Sequence, residues 1–457
     1  MNAAGLRVRK RAAALVGALI LGLLGAGSPP AGACAKAPAD FTGDGVNDAF
    51  VTDPVTSGSA LEGRSYVLVG PVLNAQVKQL DQGAGWTAKA GHLDGDRCLD
   101  VVVSNPYASG VVDGRTVPGA GVAYVYWGGA MGGPRLELKA PSPRGNAHFG
   151  WSLAIASGTV AVGAPHEDAD EVADSGAAYV FRFDGRKPGE PQRITQNSPG
   201  VPGNAQAGDM FGWSLAYTRL GGNASAVDLA IGAPFEDREE AGQIDTGSVT
   251  LVYDVATRPW TYRGVGWDMS TVEAGMDSRS GDHFGHSLAF GTYAGKGYLA
   301  IGAPAADLDG VRDSGLALLF ESTSGDPRLI RTLHEGAVGI GDTPEAGDMF
   351  GHALAFMGPT LLVGVPGQSE LRRPESGTIQ AIPIDSTEVS RLIRLAEGRP
   401  YDHFGWSLAR TGDGFVLVGV PDRGATGAVA VVSVLGERPR LLTPEGDALE
   451  FGAAVTG

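Results

Sequence analysis

Apolar residues in this chain fall in short β-branched runs, each stopped by glycine, proline or aspartate, which is the patterning of strands joined by tight turns. The runs recur in a fixed order. FGWSLA at Phe149 returns as FGWSLA at Phe211, FGHSLA at Phe284, FGHALA at Phe350 and FGWSLA at Phe404. Each copy leads into a run ending Gly-x-Pro: VAVGAP to Pro165, LAIGAP to Pro234, LAIGAP to Pro304, LLVGVP to Pro366 and VLVGVP to Pro421. A glycine then opens a third run, at Gly176, Gly247, Gly315, Gly377 and Gly427. The fourth run mixes apolar residues with Arg193, Arg263, Arg328 and Arg331, Arg391 and Arg394, or Arg438 and Arg440. Four short strands per unit, with units roughly 50 to 70 residues apart, predict propeller blades rather than a helical solenoid.

Two weaker copies precede these five. Ala84-Gly85-Trp86-Thr87-Ala88 stands in the first-strand place, followed by LDVVVSNP to Pro106, GVAYVYWG from Gly121, and Arg135 with Lys139. The earliest copy begins in mid-unit, with DAFVTDP to Pro54, SYVLVG from Ser65 and Lys78, and has no first strand of its own. The missing strand stands at the far end, where Phe451-Gly452-Ala453-Ala454-Val455 has no Gly-x-Pro run after it. The expected fold is therefore all-β: a seven-bladed propeller of four-stranded antiparallel blades, its ring closed when the C-terminal strand completes the N-terminal blade. Residues 34–457 shared among seven blades give about 61 each, slightly above compact propeller repeats. A basic residue in every fourth run is the expected guard against pairing between exposed sheet edges.

Phe-Gly followed by Gly-Ala-Pro is the signature of the FG-GAP repeat, and the chain resembles the propeller of integrin α subunits and its stand-alone bacterial relatives over its whole length past residue 33. The resemblance implies that the FG strand is innermost. The hairpin loop after it lies on the lower face and can bind calcium, and the loop after Gly-Ala-Pro lies on the upper face.

Asp40-Phe41-Thr42-Gly43-Asp44-Gly45-Val46-Asn47-Asp48 matches the calcium loop of that family at each ligand place. Asp40, Thr42 and Asp44 alternate side-chain oxygens, Val46 offers its carbonyl, and Asp48 completes an all-oxygen set suited to Ca2+. The competing reading is a metal-free Asp-Gly turn. The second blade offers Asp94, Asp96, the Cys98 carbonyl and Asp100 as a further candidate calcium loop, but His92 stands in an oxygen place and Arg97 in the turn-glycine place.

Composition narrows the setting. Arg7, Arg9, Lys10 and Arg11, an apolar run from Ala12 to about Ala26 and Ala31-Gly32-Ala33 read as a signal peptide over residues 1–33. A secreted chain without a transmembrane segment is expected. Its 31 Lys and Arg then face 51 Asp and Glu, a net charge of −20 that argues against nucleic acid or an anionic membrane as partner. Two cysteines in an oxidising compartment favour a Cys34–Cys98 disulfide; a lipid-anchored Cys34 beside a free Cys98 is the alternative.

Upper-face loops gather Glu167, Asp168, Asp170, Glu171 and Asp174; Glu236, Asp237, Glu239, Glu240 and Asp245; and Asp307, Asp309 and Asp313. They form either a solvated rim or a negative field for a basic partner. His148, His283 and His403 share one repeat position with Met210 and Met349, while His286 and His352 share another with Trp151, Trp213 and Trp406. Packing between blades is the expected role of both sets, with a sugar-stacking channel mouth as the alternative. Asp209, Asp282, Asp348 and Asp402 read as turn caps. No nucleophile elbow, His-Glu-x-x-His or phosphate loop is present. The function expected is a monomeric adhesion, ligand-binding or scaffold protein that engages a protein or extracellular polymer at its upper face. A hydrolase or lyase with its site in the channel is the alternative.

Overall fold

Each repeat folds as one sheet, and its runs pair in the order in which they occur. The computed structural model describes Cys34 and residues 36–457 other than 56–62, 130, 222–225, 239–240, 257–261, 273–277, 324, 387, 435 and 437. The expected leader, 1–33, lies outside the described residues, as do Glu239 and Glu240. In the third blade Leu153–Ala156, Thr159–Ala164, Ala177–Asp184 and Gln192–Ile194 pair antiparallel in succession. Seven such sheets form the molecule, and there is no α-helix among the described residues. The first strands of all seven touch one another in a closed cycle around the axis, so they are innermost.

Closure is made by the tail. Ala454–Thr456 lies against Ala49–Asp53, pairing Thr456 with Phe50, Val455 with Val51 and Ala454 with Thr52. The sheet continues through Arg64–Val69 to Gln76–Gln82. Since the second strand of each blade returns antiparallel to the first, the Gly-x-Pro loops and the starts of the inner strands share one end, the upper face. The hairpin turns between first and second strands share the lower face.

The two glycines of the repeat meet across each blade junction. A side chain on Gly163 would strike the Gly212 carbonyl of the next blade at 2.1 Å, and the same holds from Gly232 to Gly285, Gly302 to Gly351, Gly364 to Gly405 and Gly419 to Gly452. Only glycine permits that approach. The serine after the aromatic position fastens it: Ser152 Oγ donates to Gly212 O at 2.7 Å, and Ser214, Ser287 and Ser407 repeat the bond. The motif phenylalanines, 149 to 451, are fully buried. Seven apolar clusters fill the structure, one at each junction between neighbouring blades, so the core is a ring of wedges.

The basic residues of the outer strands do more than guard edges. Arg135 reaches Asp81 of the first blade and lies over Tyr124 at 3.7 Å. Arg331 donates to Pro383 O of the sixth blade at 2.7 Å, and Arg391 and Arg440 bond the carbonyls of Val434 and Leu73 in the blades that follow them. These side chains clasp one blade to the next.

Candidate functional sites

The first lower loop is built around two buried acids. Asp40 accepts from the amides of Gly43 (2.7 Å) and Gly45 (2.8 Å), whose φ values of 83° and 87° make the sharp turn a glycine conformation. Asp48 accepts from Phe41 (2.9 Å), Thr42 (2.8 Å) and Gly70 (3.3 Å), and burial holds its carboxyl above the usual range despite those bonds. Asp44 accepts from Val46 N at 2.9 Å. Both Asp40 oxygens and Asp48 Oδ1 keep a free lone pair, whereas Asp48 Oδ2 spends both of its own on Phe41 and Thr42, and Thr42 Oγ1, enclosed beside Asp48, makes no hydrogen bond of good geometry. The donors are all oxygen, which suits calcium. No three acidic, histidine or cysteine side chains converge as a metal cage among the described residues.

The second lower loop is wired differently. Arg186, at the tip of a hairpin that extends the third strand of the third blade, places Nε 2.6 Å from Asp94 Oδ2 and Nη2 3.4 Å from Asp96 Oδ2, and lies over the Trp127 ring at 5.3 Å. His92 Nδ1 bonds the Cys98 carbonyl at 2.8 Å. Asp100 accepts from Leu93 (2.8 Å) and Gly128 (2.9 Å), and burial pushes its carboxyl up to about 6. The guanidinium thus stands where a metal would supply positive charge, and the carbonyl a metal would use is engaged by an imidazole. The fit to calcium is poor here. Cys34 and Cys98 form a disulfide with Cα atoms 5.0 Å apart, joining the segment before the first loop to the second. Leu99 N to Asp40 O (2.9 Å) and Gly129 N to Phe41 O (2.8 Å) stitch the same seam.

At the upper end of the axis, one aromatic ring per blade forms a collar. Trp86, Trp151, Trp213, His286, His352 and Trp406 follow one another with centroids 4.4–5.9 Å apart, and Ala453 of the first blade leaves the one break. Each is part-buried and lines a cavity of about 420 Å³. The packing role expected for these positions is therefore corrected: they touch their neighbours, but they also face the channel. Tyr107, His166 and Phe235, from the loops after Gly-x-Pro, rest on the collar and widen it into a funnel. Burial drives His286 down to about 3 and His352 to about 4, so both are neutral at pH 7. Lys89 and Glu450 line the same cavity.

The upper loops put several acids to structural use. Asp168, Asp237 and Asp307 each accept an amide from further along the same loop, at Asp174, Asp245 and Asp313 (2.8–3.0 Å). Asp209, Asp282, Asp348 and Asp402 each accept the amide three residues earlier at 2.6–2.7 Å, the expected capping role. The shared position of His148, Met210, His283, Met349 and His403 takes φ between 49° and 59°, a left-handed turn that enters the inner strand. His403 bridges Glu375 (3.0 Å) and Asp422 (2.6 Å), which together hold its pKa above the usual value despite burial. Glu236, beside Gln196 and Ser248, is pushed up to about 8 by burial and by Asp209. Arg186 and Lys89 are the residues that sequence reasoning missed.

Residues 137–181 match the FG-GAP repeat family. Among curated proteins the chain is similar to phosphatidylinositol-glycan-specific phospholipase D of Bos taurus, 29% identical over 171 residues covering 33% of this chain and 18% of that protein. The Homo sapiens protein of the same name is 26% identical over 251 residues, 48% of this chain and 26% of its own length. The chain thus spans about a quarter or less of these relatives. A solved periplasmic gluconolactonase of Pseudomonas aeruginosa aligns over 89% of this chain and 97% of its own, with 15% identity and a TM-score of 0.49.

Proposed function

This chain is an FG-GAP-type β-propeller, and from that premise we propose that it is an extracellular ligand-binding protein whose upper face engages a protein or polymer at the mouth of its axial funnel. The carrying observation is the aromatic collar, six rings that part-line a cavity of about 420 Å³ within the range of small-ligand pockets. The disulfide and the basic-apolar-small leader support an oxidising, extracytoplasmic setting. The relatives named for a phosphatidylinositol-glycan support a glycan-bearing surface as the partner class. Exposed Asp170, Glu171 and Asp309 around the rim favour basic groups on a protein partner. The experiment is an array of glycans and extracellular proteins probed with the purified protein, in which Trp213→Ala is expected to lose the captured partner. Retention of every interaction by that variant would remove the funnel from the reading.

One observation favours the catalytic alternative. Glu236 holds its proton to about pH 8 and lines a cavity of about 260 Å³ with Arg238 and Asp268, so a neutral acid stands near a carboxylate. Saturable turnover of esters, lactones or glycans that Glu236→Gln abolishes would establish it in place of the binding function.

Calcium belongs to this proposal in the first lower loop only. Asp40, Thr42, Asp44, the Val46 carbonyl and Asp48 would hold it, and the bound ion would supply the positive charge that the buried carboxylates lack. In the second loop Arg186 already supplies it to Asp94 and Asp96. EDTA is expected to lower the melting temperature, by the equivalent of about 2.7 kcal/mol when free calcium had been a hundredfold above Kd. Asp44→Ala should erase that difference, and direct titration should count one ion per chain. A wild-type melting curve indifferent to chelator would refute the metal site.

A further inference from the structure

The inner strands carry a repeating small residue after the collar: Ala154, Ala216, Ala289, Ala355, Ala409 and, in the closing strand, Thr456. Register fixes the equivalence, since Ala154 pairs with Ala161, Ala216 with Ala230 and Ala289 with Ala300, each three residues before the end of its Gly-x-Pro strand. In the second blade the place belongs to Lys89, paired with Val102. A ring of alanines is thus interrupted by one lysine. Its side chain lines both the upper cavity and the lower one, of about 250 Å³, so it stands at the waist of the channel. Burial draws its ammonium below the usual lysine range, and Arg410 lines the lower cavity with it.

An ammonium desolvated without a counter-charge is costly unless a ligand supplies one. His286 and His352 are neutral above it, which leaves Lys89 as the cation of the funnel, with Glu450 at the first-blade break as the acid of the same wall. Burial and the charges of Asp422 and Asp53 push that glutamate upward, away from its ionised form. Ser152, Ser214, Ser287 and Ser407 line the same cavity, each hydroxyl donating to a glycine carbonyl and keeping lone pairs that can accept from a hydroxylated guest. Aromatic faces take the carbon–hydrogen faces of a ring, hydroxyls take hydroxyls, and the lysine takes an anion.

We propose that the axial funnel binds an acidic sugar residue, with its carboxylate on Lys89 and its ring within the Trp and His collar. The proposal rests on the ligand-binding function above and names the class of group that the funnel receives. The anion is local to the waist.

Titration of tryptophan fluorescence with galacturonate and its short oligomers tests this, with galactose as the neutral ring and benzoate as the ringed anion without hydroxyls. Saturable quenching by galacturonate is expected, about tenfold or more weaker with galactose and in Lys89→Met, as loss of one charge-assisted hydrogen bond implies. Lys89→Arg should retain most of the affinity, and melting of both variants at or above the wild-type temperature would exclude a folding defect. Absence of saturable quenching by galacturonate and its oligomers, or equal affinity in Lys89→Met, overturns the site; benzoate binding as tightly as galacturonate overturns the sugar assignment. If the array still captures a partner through Trp213 while Lys89→Met changes nothing, this inference falls and the ligand-binding function stands.

Discussion

Buried acids decide the pH behaviour of this molecule, and Glu236 shows the sign. Its folded value, about 8, lies above the 4.5 of a free glutamate because burial and Asp209 disfavour its charge. The stability tied to this proton is full below pH 4.5, declines as the unfolded chain ionises while the folded chain does not, and is gone once pH passes about 8. Glu335, driven upward by burial and by hydrogen-bonded Asp348, adds to the decline. Glu236→Gln should therefore raise the melting temperature at pH 8, leave it unchanged at pH 4.5 and flatten the profile between them. A parallel profile in the variant would contradict that account.

Among the elements, the closing strand carries the most consequence for its length. Phe451 is fully buried against Tyr66, their ring centroids 5.1 Å apart, and belongs to the wedge between the seventh and first blades. Phe451→Ala should cost about 3–5 kcal/mol in urea unfolding, and a stop codon after Leu449 should abolish the cooperative transition. A loss under about 1 kcal/mol for the substitution would mean that the ring does not depend on this strand. The strand was legible in the sequence because an FG run without a Gly-x-Pro partner and a Pro54-ending run without an FG partner stood at opposite ends. The blades were legible for a related reason: Gly163 and Gly212 meet backbone to backbone, so the residue type itself is dictated. The direction of the collar was not, since a residue that begins an inner strand can face its neighbour or the axis, and Trp151 does both. Nor was the partner of Asp94, because Arg186 arrives from a hairpin tip 92 residues away whose position depends on two blades being side by side.

At the scale of the whole molecule, the seam between the first two blades is held by means the other junctions lack. The Cys34–Cys98 bond spans a sequence separation of 64 residues and crosses the place where both candidate metal loops touch. Cys34→Ser with Cys98→Ser should lower stability by about 2–4 kcal/mol. Because the bond and the first loop secure the same seam, removing both the disulfide and the calcium proposed for that loop should cost a different amount from the sum of the separate losses. Strict additivity in such a cycle would place them in independent regions.

Since the first sheet takes residues 454–456 as its inner strand, any nascent species in which they have not yet emerged is an open arc whose apolar wedge between the seventh and first blades lies uncovered. That wedge can be hidden only after residues 451–456 have left the ribosome. Holdases and proteases that recognise bare hydrophobic surface therefore meet their substrate during that interval, and the finished circle gives them none of it.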